Sequence, residues 1–382
     1  MRIPSTSSLS ITTNTLTSLT GRLLPKPVLR ASHLSHISRA SVGSLVQRNH
    51  LQTLTAPIST ATSSTSSSTV TPSNKQHVPA LIPRSRSAQQ NIFHPSFSLF
   101  AKRPPRPFPI PFNSPPASSF PDSLSPSLAR VPRSEGASYL RGITNGDDAI
   151  VYARSYLGVA DGVGAWNTRS AGHAALWSRL MLHFFALEVE GAPGVVDPVH
   201  CLTKAYHSTL HATTESTSSV WQGTTTACVG TLTGNTFTIA NIGDSRCWIY
   251  RPSAGDFVLK TTEQWHWFDC PKQLGTNSPD TPATDADVQS IELEDGDMVI
   301  MASDGLPDNL WDHEILTICE ENAGSTGPEI AEQLVRAAKK VAIDPFGESP
   351  YMERAVDEGL PVEGGKWDDI SVLTAVYGKG RF

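Results

Sequence analysis

The chain has 382 residues, of which 38% are hydrophobic, and a formal net charge of −6. This length could hold two ordinary domains. Five cysteines without a C-x-x-C pair argue against a disulfide framework or a zinc site. No run of 18 apolar residues occurs, which argues against a membrane-spanning helix.

The N-terminal region is set apart by its charge. No acidic residue occurs before Asp122, and residues 1–50 are basic and rich in Ser, Thr and Leu. This composition is typical of a cleavable mitochondrial presequence. A disordered basic tail and a nucleic-acid-binding arm are alternatives, but the charges are spread out without interleaved aromatic residues. We therefore predict a mitochondrial presequence, a location in the matrix and no nucleic-acid partner.

Residues 51–132 are rich first in Ser and Thr and then in Pro, with little hydrophobic periodicity. Such a segment buries too little apolar surface to offset its ordering entropy, so we predict a disordered spacer. The long N-terminal disordered region would then lead into one globular domain, residues 133–382.

The predicted domain alternates strand-like and helix-like segments. β-Branched and aromatic residues bounded by Gly, Asp or Asn predict strands at 148–153, 156–160, 224–232, 236–242, 246–251, 298–302 and 370–377. Apolar residues at helical spacing predict helices at 171–190, 198–213, 312–321 and 328–342, with Asp312 as an N-cap. Consecutive hairpins with long helices between them favour an α+β fold, a β-sandwich of two mainly antiparallel sheets flanked by helices.

Short acidic turns lie beside several of the apolar strands. They are Gly-Asp-Asp-Ala at 146–149, Val-Ala-Asp-Gly-Val-Gly at 159–164, Ile-Gly-Asp-Ser-Arg at 242–246, Met-Ala-Ser-Asp-Gly at 301–305 and Lys-Trp-Asp-Asp-Ile-Ser at 366–371. A single Asp-Gly pair is most often a plain turn. Carboxylates at several sheet ends, however, repel one another and call for a shared cation. Oxygen ligands without His or Cys indicate Mg²⁺ or Mn²⁺ rather than Zn²⁺.

The ordered series GDDA, VADGVG, GTTTA, NIGDSR, MASDG and KWDDIS resembles the metal-dependent type 2C protein phosphatases, the PPM family, over about residues 140–377. The forms ADGVG-x-W and GGKWDDIS, together with the segment 263–268, are most similar to its mitochondrial branch, which includes fungal 5-azacytidine resistance proteins. The resemblance implies the PPM-type phosphatase fold. It also implies hydrolysis of phosphoserine and phosphothreonine in proteins by water activated at a binuclear Mn²⁺ or Mg²⁺ centre.

The resemblance assigns the principal catalytic and metal-binding roles to three aspartates. Asp161 would bridge both ions, with the carbonyl of Gly162 contributing directly or through water. Asp304 and Asp368 would complete the first metal site.

The resemblance places the second ion at the acidic pair Asp147 and Asp148. Family members usually have Glu at the first of these positions, so Asp147 is one methylene shorter. Asp244 and Asp308 match a weaker third metal site found in some members.

Two positions lack side chains that many family members carry. Val163 stands where many have the His that protonates the leaving alcohol. A metal-bound water could take that role; His173 and His266 are alternatives, although a structural role is the better interpretation of each. Ile143 stands where many have a phosphate-binding arginine. Arg141, Arg154 and Arg169 are candidates for that role, and the sequence does not choose among them.

The implied partners are phosphorylated proteins, and we expect a monomer. A catalytically silent phosphoprotein-binding domain and a small-molecule phosphoesterase are alternatives on the same fold. All the expected metal aspartates are present, which favours an active protein phosphatase.

Overall fold

The computed structural model describes residues 91–109, 112, 140–214, 220–322 and 327–379. The predicted presequence, 1–50, and most of the predicted spacer lie outside the described residues. The strands are β1 (Asn91–Phe100), β2 (Ile143–Asn145), β3 (Asp148–Tyr152), β4 (Tyr156–Ala160), β5 (Thr224–Thr225), β6 (Ala227–Thr233), β7 (Thr236–Ile242), β8 (Arg246–Arg251), β9 (Asp256–Lys260), β10 (Trp265–Trp267), β11 (Cys270–Pro271), β12 (Leu274–Gly275), β13 (Asp287–Glu292), β14 (Met298–Ala302) and β15 (Ile370–Lys379). The helices are α1 (Ala174–Gly191), α2 (Pro198–Thr214), α3 (Pro282–Asp285), α4 (Asp312–Glu321), α5 (Gly327–Ala342) and α6 (Pro350–Asp357), with a 3-10 helix at Gly164–Thr168.

Two antiparallel sheets form the centre of the fold. One has the strand order β13-β7-β6-β4-β3-β2, and the other has the order β1-β15-β14-β8-β9. The prediction of a β-sandwich of mainly antiparallel sheets flanked by helices is confirmed.

The apolar residues divide into layers because successive side chains of a strand point to opposite faces. In β15, Leu373 lies in the cluster between the two sheets, whereas Val372 lies in the cluster that α4 and α5 cover. On the far side, α1 and α2 pack on the six-stranded sheet, where Phe185 and Leu202 meet Val229. The order of layers is therefore helix, sheet, sheet, helix.

Most predicted elements agree with the structure to within a few residues, but the N-cap of α4 was wrongly predicted. The cap position is Trp311, whose backbone N–H donates to Glu314 at 3.0 Å, and Asp312 is the first helical residue. The carboxylate of Asp312 instead accepts from the Trp248 indole and the Lys260 ammonium, each at 2.9 Å. Tertiary contacts therefore outweigh the local capping preference of aspartate.

The predicted disordered spacer was wrong over residues 91–100. These residues form β1, which pairs along its whole length with β15, and Phe93 is buried between the sheets. The globular part therefore begins no later than residue 91 rather than at 133. Among the described residues, no helix is both long and apolar enough to span a bilayer.

Candidate metal centre

Aspartates at the ends of two adjacent strands open the site. Asp148 begins β3 and Asp161 follows β4, and these strands pair antiparallel with Ala149 opposite Ala160. The start of one strand and the end of its neighbour therefore lie at the same edge of the six-stranded sheet.

The second sheet brings its acidic turns to the same end of the sandwich. Asp304 follows β14 and Asp368 precedes β15, and the register Ala302 opposite Val372 sets the two turns side by side. Asp244 lies in the turn between β7 and β8, and β8 pairs with β14. Acidic turns far apart in sequence thus meet through strand register.

The carboxylates of Asp161, Asp244 and Asp304 form the centre of the site. One oxygen of each lies within 4.8 Å of the others. One oxygen of Asp304 and one of Asp244 are buried and have no hydrogen-bond partner within the described ranges. A buried, unpaired carboxylate oxygen is costly, and an all-oxygen donor set suits a hard divalent cation such as Mg²⁺ or Mn²⁺. The residues present therefore fit such an ion.

The electrostatics of the cluster lead to the same conclusion. Burial, reinforced by the neighbouring carboxylates, raises the pKa values of Asp148 and Asp161 well above the usual range. The pKa of Asp244 is raised in the same way. Burial is the largest single influence on the pKa of Asp304 and acts to raise it, but Lys366, Asp161 and Lys102 together outweigh burial, so the net shift is downward. Ionisation of several of these carboxyls at once is energetically unfavourable unless a cation lies between them.

Asp147 and Asp148 lie beside this cluster on β3 and the turn before it. The carboxylate of Asp148 accepts from the Ser371 hydroxyl at 2.8 Å. That of Asp147 accepts from Arg103 Nη2 at 2.6 Å and from Asn167 Nδ2 at 2.8 Å. Asp147 is thus already neutralised in part by an arginine.

Gly162 is held against the acidic pair. A Cβ added at this residue would lie 2.3 Å from the carbonyl oxygen of Asp147, a distance that no side chain tolerates. Only glycine fits here without a backbone shift. This close approach brings the turn after Asp161 next to Asp147.

Asp368 and Asp369 receive a segment that comes directly after β1, here called the basic segment (residues 101–109). The ammonium of Lys102 forms an ion pair with Asp368, and the Lys102 backbone N–H donates to Asp369 at 2.7 Å. Burial acts to lower the pKa of Lys102, but Asp368 and Asp369 raise it above its usual value. The other oxygen of Asp369 accepts from the Asp147 backbone N–H at 2.9 Å.

The basic segment is also anchored away from the carboxylates. Arg106 donates to the Gly172 carbonyl at 2.7 Å, and His173 contacts the Pro107 carbonyl at 3.1 Å. Phe108 packs edge-on against His173 with ring centroids 5.5 Å apart. The chain is therefore held across the site independently of the ion pairs that Lys102 and Arg103 make.

Asp308 belongs to a different environment from the cluster of Asp161, Asp244 and Asp304. One of its oxygens lies 2.7 Å from the Lys366 ammonium, and the other is paired with Arg354. Burial is the main reason that the pKa of Asp308 is raised to about 7, with Asp304 adding to the rise and Lys366 opposing it. The predicted third-site pair, Asp244 and Asp308, is therefore not a pair of free ligands.

The side chains considered for proton delivery are engaged elsewhere. His173 is buried at the start of α1, where its ring accepts from the Leu176 backbone N–H at 3.2 Å. His266 lies 2.9 Å from Asp280. These contacts agree with the structural interpretation of both histidines.

Two of the arginines considered for phosphate binding have different surroundings. Arg141 pairs with Glu190 at 2.8 Å, whereas Arg169 stacks on Trp166 at 4.6 Å from the ring centre. Arg169 and Trp166 line a cleft of about 390 Å³ that begins at Val163, directly after Gly162. Arg103, which reaches Asp147, was missed because it lies in the Pro-rich segment predicted to be disordered.

Lys102 and Lys366 are the other site residues that the sequence reasoning missed. Lys102 gives no local signal, because Asp368 is 266 residues away. Lys366 stands two residues before Asp368 within KWDDIS. A positive charge inside an acidic motif was the available signal for Lys366.

The sequence is similar to those of known proteins. Residues 154–349 match the family described as "Stage II sporulation protein E (SpoIIE)". The chain is 35% identical over 257 residues to "Protein phosphatase PTC7 homolog" of Xenopus laevis, covering 62% of this chain and 82% of that protein. It is 34% identical over 242 residues to "Probable protein phosphatase 2C 1" of Oryza sativa subsp. japonica, covering 60% and 67%.

A solved structure is similar as well. The "X-ray structure of the photosystem II phosphatase PBCP" superimposes with a TM-score of 0.52 at 28% identity, covering 60% of this chain and 91% of that one. The matches to curated relatives extend over most of the relatives' own length, and the fold and the order of the acidic turns agree with the expected architecture. This chain therefore belongs to the PPM, or type 2C, family of serine/threonine protein phosphatases.

Proposed function

We propose that this protein removes phosphate from phosphoserine and phosphothreonine residues of proteins by using two divalent ions, Mn²⁺ or Mg²⁺, held in the acidic centre. The observation that carries the proposal is the convergence of Asp161, Asp244 and Asp304, where one buried oxygen of Asp244 and one of Asp304 lack a partner in the described part of the chain. Carboxylates buried this close together repel one another unless a cation neutralises them.

The first ion would be held by Asp161, Asp304 and Asp368, and the second by Asp161, the Gly162 carbonyl and the Asp147–Asp148 pair. Two divalent ions, when bound, supply charge neutralisation for a phosphoryl group and lower the pKa of a shared water. This assignment of ligands to ions is part of the proposal.

The chain fixes the bridging aspartate through its backbone. The Asp161 carbonyl accepts from the Thr226 N–H at 2.9 Å and from the Thr225 hydroxyl at 2.8 Å. The Asp161 N–H donates to the Thr226 hydroxyl at 3.0 Å. With its main chain held on both sides, the Asp161 carboxylate has few ways to turn out of the cluster, which keeps it ready to bind ions.

Protein substrates are favoured by the surroundings of the centre and by the names of the relatives. The cleft lined by Trp166, Arg169 and Trp267 is open, so it can admit residues that flank a phosphoserine. The relatives are named as protein phosphatases. The silent phosphoprotein-binding domain is disfavoured because every predicted metal aspartate is present, and the small-molecule phosphoesterase because the relatives are named as protein phosphatases.

The test uses the full-length protein freed of metal with a chelator. We expect it to release phosphate from a phosphothreonine peptide only after Mn²⁺ or Mg²⁺ is restored, and faster than from a phosphorylated metabolite. Turnover that survives chelation would eliminate the metal-dependent mechanism. Peptide binding without turnover would favour the silent domain, and a preference for the metabolite would favour the small-molecule enzyme.

We also propose that residues 1–50 direct the protein to mitochondria, on the strength of their basic, acid-free composition. A reporter fused to residues 1–50 should enter mitochondria and be shortened at its N-terminus. Replacing the arginines of that segment by glutamines should leave the reporter in the cytosol. Import that is unaffected by those replacements would contradict the presequence.

A further inference from the structure

A lysine lies inside the acidic centre, held there by its own main chain. The Lys366 backbone N–H donates to Asn309 Oδ1 at 3.0 Å, and Asn309 Nδ2 donates back to the Lys366 carbonyl at 3.0 Å. Asn309 is fully buried and also donates to the Gly305 carbonyl. The position of Lys366 is therefore set by neutral hydrogen bonds to the turn after β14, and not only by charge.

The ammonium group of Lys366 lies among carboxylates on several elements. Its nitrogen is 2.6 Å from Asp304, 2.7 Å from Asp308 and 3.2 Å from Asp269. An ammonium has three N–H donors, so these neighbours can use all of them. Asp368 is farther away, at 4.0 Å.

Asp304 presents different groups on its two sides. Its Oδ2 faces Lys366, whereas its Oδ1 is buried and has no hydrogen-bond partner among the described residues. One oxygen of Asp304 also belongs to the cluster with Asp161 and Asp244. Lys366 therefore leaves Asp304 one oxygen for an ion in the cluster. The space between Asp304 and Asp308, in contrast, already holds a cation.

Asp308 has no oxygen left for a metal ion. Its Oδ2 faces Lys366 and its Oδ1 is paired with Arg354. A third divalent ion shared by Asp244 and Asp308 would have to displace one of these basic groups and would then be repelled by the other. The geometry does not fit a third metal at this place.

We propose that Lys366 is a built-in cation that takes the place of a third metal ion, holding Asp304 and Asp308 in position so that the protein binds two divalent ions and not three. Lys366 is on this view a positioning residue. This inference rests on the proposed metal-dependent function.

The test is the number of Mn²⁺ ions bound per full-length chain, measured by isothermal titration calorimetry and by metal analysis after desalting. The wild type should bind two. Lys366→Ala, which removes the charge and opens space, should gain a third, weaker Mn²⁺. Lys366→Arg, the matched control that keeps the charge, should remain at two.

A second variant keeps the inference falsifiable if Lys366→Ala does not fold. Asp308→Asn in the wild-type background should leave the stoichiometry at two, because Asp308 carries no metal. If the wild type binds three ions and Asp308→Asn binds two, the inference about Lys366 is overturned, whereas the proposed metal-dependent function is not. A folded Lys366→Ala protein that still binds two would overturn it as well. A wild type that binds no Mn²⁺ would instead overturn the proposed function, and this inference with it.

Discussion

The acidic centre has two sides that are neutralised differently. On the open side, Asp161, Asp244 and Asp304 meet, and two of their buried oxygens have no partner among the residues that the structure describes. On the paired side, Asp147 and Asp368 already face basic residues of the segment that follows β1. An ion from solution adds to the open side without loss, but it must compete with a basic group on the paired side. Metal affinity should therefore depend on residues that are not ligands.

The largest expected effect comes from the open side. Asp161→Asn should lower turnover by roughly 1,000-fold or more, since losing the carboxylate proposed to bridge the two ions removes several kcal/mol of stabilisation from the transition state. The metal-induced rise in melting temperature should disappear with it. Steady-state kinetics and thermal unfolding with and without Mn²⁺ measure the two effects.

The matched control for this variant is Asp256→Asn, at the exposed first residue of β9. It makes the same chemical change outside the centre and should leave both measurements unchanged. Near-normal turnover by Asp161→Asn would mean that the open side is not the metal centre.

The paired side depends on β1, which delivers the basic segment. Phe93 of β1 is 1% exposed, and its ring packs against that of Phe237 across the sandwich with ring centroids 5.1 Å apart. Phe93→Ala should reduce the free energy of unfolding by about 3–4 kcal/mol. Urea unfolding measures this loss. The control is His94→Ala at the exposed neighbouring residue, which should reduce the free energy of unfolding by less than about 0.5 kcal/mol. Equal costs would show that β1 is not part of the folded core.

β1 also shows where sequence reasoning stops. Its Pro95 and its serines resemble the spacer around them, and proline within a run argues against a central strand. Within the described part of the chain, β1 pairs only with β15, and an edge strand tolerates a residue without an N–H. In contrast, β14 could be predicted because its apolar run ends at an acidic turn, and β15 because a segment rich in β-branched residues begins at one.

The same limit applies to the site. Each acidic turn has a local signature, so the aspartates could be predicted one by one from their motifs. The basic partners could not, because Lys102 and Arg103 reach Asp368 and Asp147 only after β1 joins the sheet. The monomeric state is a prediction that light scattering tests, and it too depends on surfaces and not on motifs.

A smaller effect should separate the two sides directly. Lys102→Ala removes the cation that competes for Asp368 and should tighten Mn²⁺ binding by roughly three- to tenfold, since a partly buried ion pair is worth about 1 kcal/mol. Titration calorimetry on the full-length protein measures this. Lys260→Ala, which removes a lysine paired with Asp312 outside the centre, is the control and should change nothing. Weaker binding in Lys102→Ala would mean that Lys102 orients Asp368 rather than competing for it.

The smallest effect is the pH dependence of the stability that metal adds. Burial, as the largest cause, raises the pKa of both Asp308 and Asp369 to about 7, so their protonated forms favour the folded, metal-free protein. That contribution is fully present below the ordinary pKa of aspartate, near 4, and is lost as pH rises through about 7. Burial lowers the pKa values of His173 and His183, which acts in the opposite direction below about pH 6.5, but it does so with or without metal. The difference in melting temperature between Mn²⁺-loaded and chelated protein should therefore widen by a few degrees from about pH 5 to about pH 8, since Asp308 and Asp369 ionise over this range and their charges attract the ions, although neither carboxylate is a proposed ligand. A difference that is constant over this range would show that the carboxylates of the centre are ionised before any metal arrives, and that the basic groups of the paired side suffice to neutralise them.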